Sequence, residues 1–268
     1  MFKKVIFLAL ILLHANACTN TGSNLSSQET IFENEKISSL KDKATANRVN
    51  KPFIWKITSA KGRSSFLFGT IHIGVPIGKL PWHVHTKLRE TNTLVVEANP
   101  KLISSESGDT DNSPIQKILR KHQKELMLPD GESLQDKISE EAFNILISDT
   151  RLPPTFLEGL TPYGAKFFYE FMSFAISLTM VPDGNLDEEM VSKAQSSSIK
   201  LNFLETPKDV DSYLPTALGF NSEEAETFSA DNLNEFLIND AQDSREEMLK
   251  GMFSLIIAYK SGDMANLK

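Results

Sequence analysis

His72 and Glu97 are the residues whose types and spacing could do chemistry. His72 stands three residues after Gly69 in Phe66-Leu-Phe-Gly-Thr-Ile-His-Ile-Gly-Val-Pro-Ile-Gly78, at the end of an apolar run too short for an ordinary helix and rich enough in Phe and Ile for a buried strand. Glu97 ends a second apolar run, Thr93-Leu-Val-Val-Glu97. The C-terminal ends of strands border the binding crevice in open α/β sheets, so two such strands side by side would set an imidazole and a carboxylate on one rim. Glycines at 69, 74 and 78 permit close backbone approach around His72. A histidine at a strand end can equally be a hydrogen-bonded structural residue. The repeat of the same polar-after-apolar pattern at Glu97 is what carries the functional reading.

The elements that must position this pair follow from the flanking patterns. Phe53 to Thr58 alternates apolar and polar residues, and Gly62 punctuates the step into Ser65 to Thr70, which predicts a β-hairpin. A Gly- and Pro-broken loop from Val75 to Pro81 leads to a helix over Trp82 to Thr91 and then to the strand ending at Glu97, a strand, crossover, strand unit whose usual form is parallel. Pro100 to Asn112 is polar and reads as a mobile loop. From Pro114 the apolar residues fall at helix spacing, through Ile118, Leu134, Ala142, Leu146 and Ile147.

Thr161-Pro-Tyr opens a further helix, with threonine as N-cap and proline at the first helical position. Its stripe of Phe167, Phe168, Phe171 and Phe174 suits a core or the wall of a groove better than a cofactor box. Asp183-Gly-Asn-Leu-Asp187 leads into a helix with Leu186, Met190 and Ala194 on one face, and Ile199 to Leu204 is a strand that delivers a second strand-end acid, Glu205. Asp187 reads equally as a helix-capping acid or a site residue. Residues 222 to 260 read as amphipathic helix closed by Ser261-Gly-Asp263.

The N-terminus is a targeting segment. Lys3 and Lys4 form a basic start, Val5 to Leu13 an apolar core too short to span a bilayer, and Ala15-Asn-Ala17 a small-residue cleavage site before Cys18. One outcome is secretion with cleavage after Ala17 into a periplasmic or secreted form. The other is a lipoprotein with the lipid on Cys18, the single cysteine of the chain. Thr19, rather than Asp, beside the cysteine resembles the sorting pattern for the outer membrane facing the periplasm. The expected organisation is a signal peptide over 1–17, a lipidated, disordered tether over 18–51, and a folded domain over 52–268.

Composition supports one globular domain after the tether, with 40% hydrophobic residues. Against 28 basic residues stand 35 acidic ones, a net charge of −7, which makes nucleic acid an unsuitable partner. There is no P-loop, paired CxxC, HExxH or GxSxG motif.

Trp55-Lys-Ile, Phe66-Leu-Phe-Gly-Thr-Ile-His72, Leu94-Val-Val-Glu97, Leu186-Asp187 with Ala194, Phe203-Leu-Glu-Thr206 and Tyr259-Lys-Ser-Gly-Asp263 fall in the order seen in TraB/GumN proteins, which they resemble. These are relatives of TIKI metalloproteases and of erythromycin-esterase-like and ChaN-like proteins. The resemblance implies an α/β fold of the mixed α+β kind, a central mixed sheet covered by helices and built from two related halves, each giving one Gly-x-x-His motif to a shared crevice. Gly69, Thr70 and His72 match the first motif, Glu97 its acidic companion, and Asp187 a supporting position. A second Gly-x-x-His motif has no counterpart in the sequence. On this resemblance the domain is expected to lack its C-terminal part.

A catalytic divalent metal generally needs about three protein ligands and an open position for water. His72 and Glu97 are therefore joined as candidates by Glu205, with Asp187, His83 and His85 behind it; the i, i+2 spacing of the last two points them to different faces. The resemblance implies metal-assisted hydrolysis of a peptide or protein with Mn, Co or Zn, His72 holding the ion and Glu97 acting as ligand or proton acceptor. A catalytically inactive peptide-binding lipoprotein, its groove lined by Phe167 to Phe174, is the alternative from another class, and a truncated non-functional family member is a third.

Overall fold

The computed structural model describes residues 35–46, 48–99, 114–220, 222–263 and 265. The expected signal peptide, Cys18 and all of the loop expected over 100–112 lie outside the described residues. Among the described residues no helix is long and apolar enough to cross a membrane.

The fold is mixed α/β with helix dominant. The described residues divide into two compact units, one drawn from 35–97, 180–204 and 248–265, the other from 98–99, 114–179 and 205–247. In the first unit helix α1 (Glu35–Ala46) precedes an antiparallel hairpin of β1 (Ile54–Thr58) and β2 (Ser64–Phe68), with Trp55 opposite Leu67 and Ile57 opposite Ser65. Gly62 turns the hairpin at φ +76°. Helix α2 (Trp82–Glu90) leads into β3 (Thr93–Val96). β3 pairs in parallel with β4 (Lys200–Phe203), Leu94 opposite Leu201 and Val96 opposite Phe203. The strands thus form two separate ladders among the described residues.

β2 departs from the buried strand that its composition predicts, because Phe66 is 37% and Leu67 58% exposed. It pairs with β1 alone among the described residues, and a two-stranded ribbon has no interior to offer both of its faces. Burial begins at Ile71, just beyond the strand.

Part of the segment expected as a tether is structured. Helix α1 buries Ile37 and Ala44 completely, and Val49 is buried behind it. Its sequence has too few apolar residues to hold a helix of twelve residues by itself. The anchor comes from Lys260, whose buried Nζ donates to the carbonyl of Ala44 in the last turn of α1, where carbonyls lack helical partners. Burial, helped by the charge of Lys79, holds this amine below the usual lysine range. The folded chain therefore disfavours the ammonium, a penalty present below the lowered pKa and relieved as pH climbs toward 10.5. The melting temperature of the wild type is expected to rise relative to that of Lys260→Met as pH approaches 10.5 in paired thermal melts. Parallel curves would refute the depressed amine.

The second unit is helical: α3 (Pro114–Lys121), α4 (Gln123–Leu126), α5 (Glu140–Thr150), α6 (Pro154–Leu157), α7 (Pro162–Leu178), α9 (Pro207–Ala217), α10 (Glu223–Thr227) and α11 (Ala230–Glu235). As the Thr-Pro signature predicts, Thr161 caps α7, its Oγ1 accepting from the Gly164 amide at 2.9 Å. Phe167 and Phe168 are buried and meet each other edge to face, with centroids 5.3 Å apart. Phe167 also packs on Phe220 and Phe168 on Phe156, so these two rings build the core of the unit rather than the wall of a groove. Phe174 is 44% exposed.

The long helix expected over 222–260 is interrupted. Ser229 and Asn232 form a capping box that starts α11 anew, and a π-helical turn over Phe236–Asp240 precedes α12 (Ala241–Ser261). A capping box satisfies the orphan amides of a helix start, which is why the chain restarts there instead of running through.

Candidate functional site

Every component of the site belongs to the first unit. Gly69 follows β2 directly, and both of its backbone groups are tied down: its amide donates to the Phe53 carbonyl at 2.8 Å, and its carbonyl accepts from the Tyr259 hydroxyl at 2.7 Å. Tyr259 is buried against Phe53, and burial together with the charge of Asp187 pushes its hydroxyl up from the usual range, so it stays protonated and a donor. Further along, Gly74 takes φ +69°, and a Cβ there would stand 2.3 Å from Ile256 Cδ1. The Ile77 amide donates to Glu189 Oε2 at 3.0 Å. The segment carrying His72 is thereby held at both ends.

The other wall is the first turn of α8 (Leu186–Ser196). Leu186, Met190, Val191 and Ala194 are buried at helical spacing, and α8 packs on β3 and β4. Asn185 is the N-cap, accepting from the Glu188 amide at 3.2 Å. With the cap supplied by its neighbour, Asp187 is released from that duty and turned to the site. Its Oδ2 lies 2.5 Å from His72 Nδ1, and the Thr70 hydroxyl also donates to the carboxylate. The contact with His72 is short but bent, since Oδ2 is buried without a well-aligned hydrogen-bond donor. On the other side of the ring, His72 Nε2 is 4.0 Å from Glu97 Oε2. Both side chains are about two-thirds exposed, at 68% and 70%, whereas Asp187 is only 20% exposed.

The electrostatics follow from this order. The hydrogen bond to Asp187 raises the pKa of His72, burial opposes it, and the charges of Asp187 and Glu97 add to the rise. For Asp187 burial works against ionisation, but the hydrogen bonds from His72 and Thr70 and the imidazolium charge outweigh it and hold the carboxyl below the usual range. The pair thus strengthens the fold most between 3.8 and 6.5, and its contribution is lost as pH rises through the raised value of His72 or falls through the lowered value of Asp187.

A sequence profile decides the family, matching residues 53–268. The chain belongs to the TraB/PrgY/gumN family. No curated protein and no solved structure matches it. Within this TraB/PrgY/gumN domain the structure brings together Gly69, Thr70, His72, Glu97 and Asp187. Glu205 directly follows the Phe203-Leu204 end of β4, and its carboxylate accepts from the Tyr213 hydroxyl at 3.0 Å. His83 is exposed, lying edge-on to the Trp82 ring, and His85 is half-buried, as their i, i+2 spacing predicts.

Donors 4.0 Å apart can both reach one cation whose bonds are each about 2.1 Å, and both are open to solvent. Among the described residues no group of three or more His, Cys, Asp and Glu is arranged to hold a metal ion. The TraB/PrgY/gumN domain therefore presents a two-donor pair with a carboxylate behind the histidine. Two contributors escaped the sequence reading. Glu189 shares the acidic first turn of α8 with Asp187 and was indistinguishable from a residue favoured by the helix dipole. Tyr259 was visible only as part of a motif, since nothing local says that its hydroxyl meets a backbone carbonyl 190 residues away.

Proposed function

We propose that the TraB/PrgY/gumN domain is a divalent-cation-assisted hydrolase of peptides, with His72 and Glu97 as its protein donors. The observation that carries this reading is the exposed His72–Glu97 pair with Asp187 backing the histidine. When bound, a Mn, Co or Zn ion supplies a Lewis acid that lowers the pKa of a coordinated water toward neutrality. His72 would hold the ion through Nε2, the nitrogen that faces Glu97. Glu97, exposed and within reach of the same point, supplies the second donor and is the carboxylate available to take up a proton from an attacking water. The solvent exposure of the pair leaves the remaining positions to water and substrate.

Isothermal titration of the purified protein with Mn, Co and Zn tests the reading. One site is expected for at least one of the ions, with His72→Ala weakening it by about a hundredfold or more. A wild type that binds none of the three, or a His72→Ala protein that binds equally well, would sink the hydrolase proposal and leave the inactive peptide-binding scaffold as the reading to pursue.

A further inference from the structure

We infer that Asp187 is the positioning residue of this site: it fixes His72 in the tautomer protonated at Nδ1, so that the Nε2 lone pair points to Glu97 and is available to a cation. The inference deepens the cation reading and rests on it for its purpose, but its structural core stands on the geometry alone. Two unprotonated atoms, a ring nitrogen and a carboxylate oxygen, repel at 2.5 Å, so the close approach of Nδ1 to Asp187 Oδ2 favours a hydrogen on Nδ1 even though the contact is bent. In the neutral ring that proton belongs to Nδ1, because the nitrogen that makes the carboxylate contact is the one that carries it. Nε2 is then left as the acceptor, on the side where Glu97 Oε2 lies 4.0 Å away.

Asp187 is built for this duty rather than for binding a cation directly. It is 20% exposed against 70% for Glu97, its Oδ2 is buried, and the Thr70 hydroxyl holds the carboxylate. Its backbone is set by the capped first turn of α8, while Glu189 from the same turn holds the far end of the His72 segment through the Ile77 amide. One helix start therefore fixes both the ring and the loop that carries it. A carboxylate on the rear nitrogen of a metal-binding histidine sets its tautomer and raises its basicity, and loss of such a partner typically costs about 10–100-fold in metal affinity.

The deciding experiment is long-range nitrogen–proton NMR of His72 in the metal-free protein at alkaline pH, where the ring is neutral, on the wild type and Asp187→Asn. The wild type is expected to show Nδ1–H with Nε2 unprotonated. The isosteric amide is expected to shift the ring toward Nε2–H, and titration calorimetry with Mn, Co or Zn to show the affinity falling by about 10–100-fold. A wild-type His72 protonated at Nε2 would overturn the inference without any variant, so a failure of Asp187→Asn to fold does not protect it. An unchanged tautomer in a folded Asp187→Asn would overturn it too. If the wild type binds none of the three ions yet shows Nδ1–H that Asp187→Asn abolishes, the cation reading falls while the role of Asp187 in setting the ring stands.

Discussion

Replacing Arg245 with methionine is expected to destabilise the fold by about 3–5 kcal/mol, the cost of leaving a charge buried without its partner. Arg245 Nη1 lies 2.9 Å from Asp149 Oδ2, with side-chain exposures of 7% and 15%. The Tyr169 hydroxyl, on a ring that is completely buried, donates to the same oxygen at 3.0 Å, and burial pushes its pKa up so that it remains a donor. Asp149 occupies the last turn of α5, where the helix dipole disfavours a negative charge. Without the guanidinium, this carboxylate keeps, among the described residues, the phenol of Tyr169 and the neighbouring Ser148 hydroxyl as hydrogen-bond donors. With a urea m-value of about 2–3 kcal/mol per molar, the midpoint should fall by about 1–2.5 M. The double variant Asp149→Leu, Arg245→Met should recover most of the loss, because an apolar pair of similar volume replaces a buried ion pair at little cost. A single variant as stable as the wild type would show that Asp149 is not held by Arg245.

Gly184→Ala should cost about 3 kcal/mol and disturb the site as well as the fold. Gly184 takes φ +130°, a conformation that side chains rarely adopt. A Cβ there would stand 2.2 Å from Pro76 N and 2.6 Å from the Val75 carbonyl carbon. These are backbone atoms, so no rotamer change relieves the overlap, and either the 74–77 segment or the entry to α8 must move. That motion pulls on the Ile77–Glu189 bond and on the start of α8 that presents Asp187 to His72. Calorimetric melting and the NMR signature of His72 should therefore change together. A variant that melts like the wild type with His72 unaltered would show that the close approach is not needed.

Much of the fold was legible because its signals are local. The hairpin around Gly62, the helix from Trp82, the strands before Glu97 and Glu205, and the Thr161-Pro start of α7 depend on alternation, turn residues and caps within a few positions of each other. Helix α1 was legible only as a marginal amphipathic turn or two over Ile31 to Leu40, since its three or so apolar positions give little periodicity and its anchor, Lys260, lies 216 residues away from Ala44. The break at Ser229 was present as a serine followed three residues later by asparagine, yet apolar periodicity on both sides concealed it.

The same division runs through the site. The sequence by itself determined which residues could act: a histidine after Gly69, a glutamate after an apolar run, and an acid at the start of a helix are chemical types at strand and helix ends, and those ends are set locally. Only the tertiary structure decided their roles. Asn185 took the cap and left Asp187 to His72, Glu205 met Tyr213, and the rings of Phe167 and Phe168 went into the core, because each outcome depends on which distant surface packs against the residue. Spacing along a chain specifies direction and periodicity. It does not specify the partner.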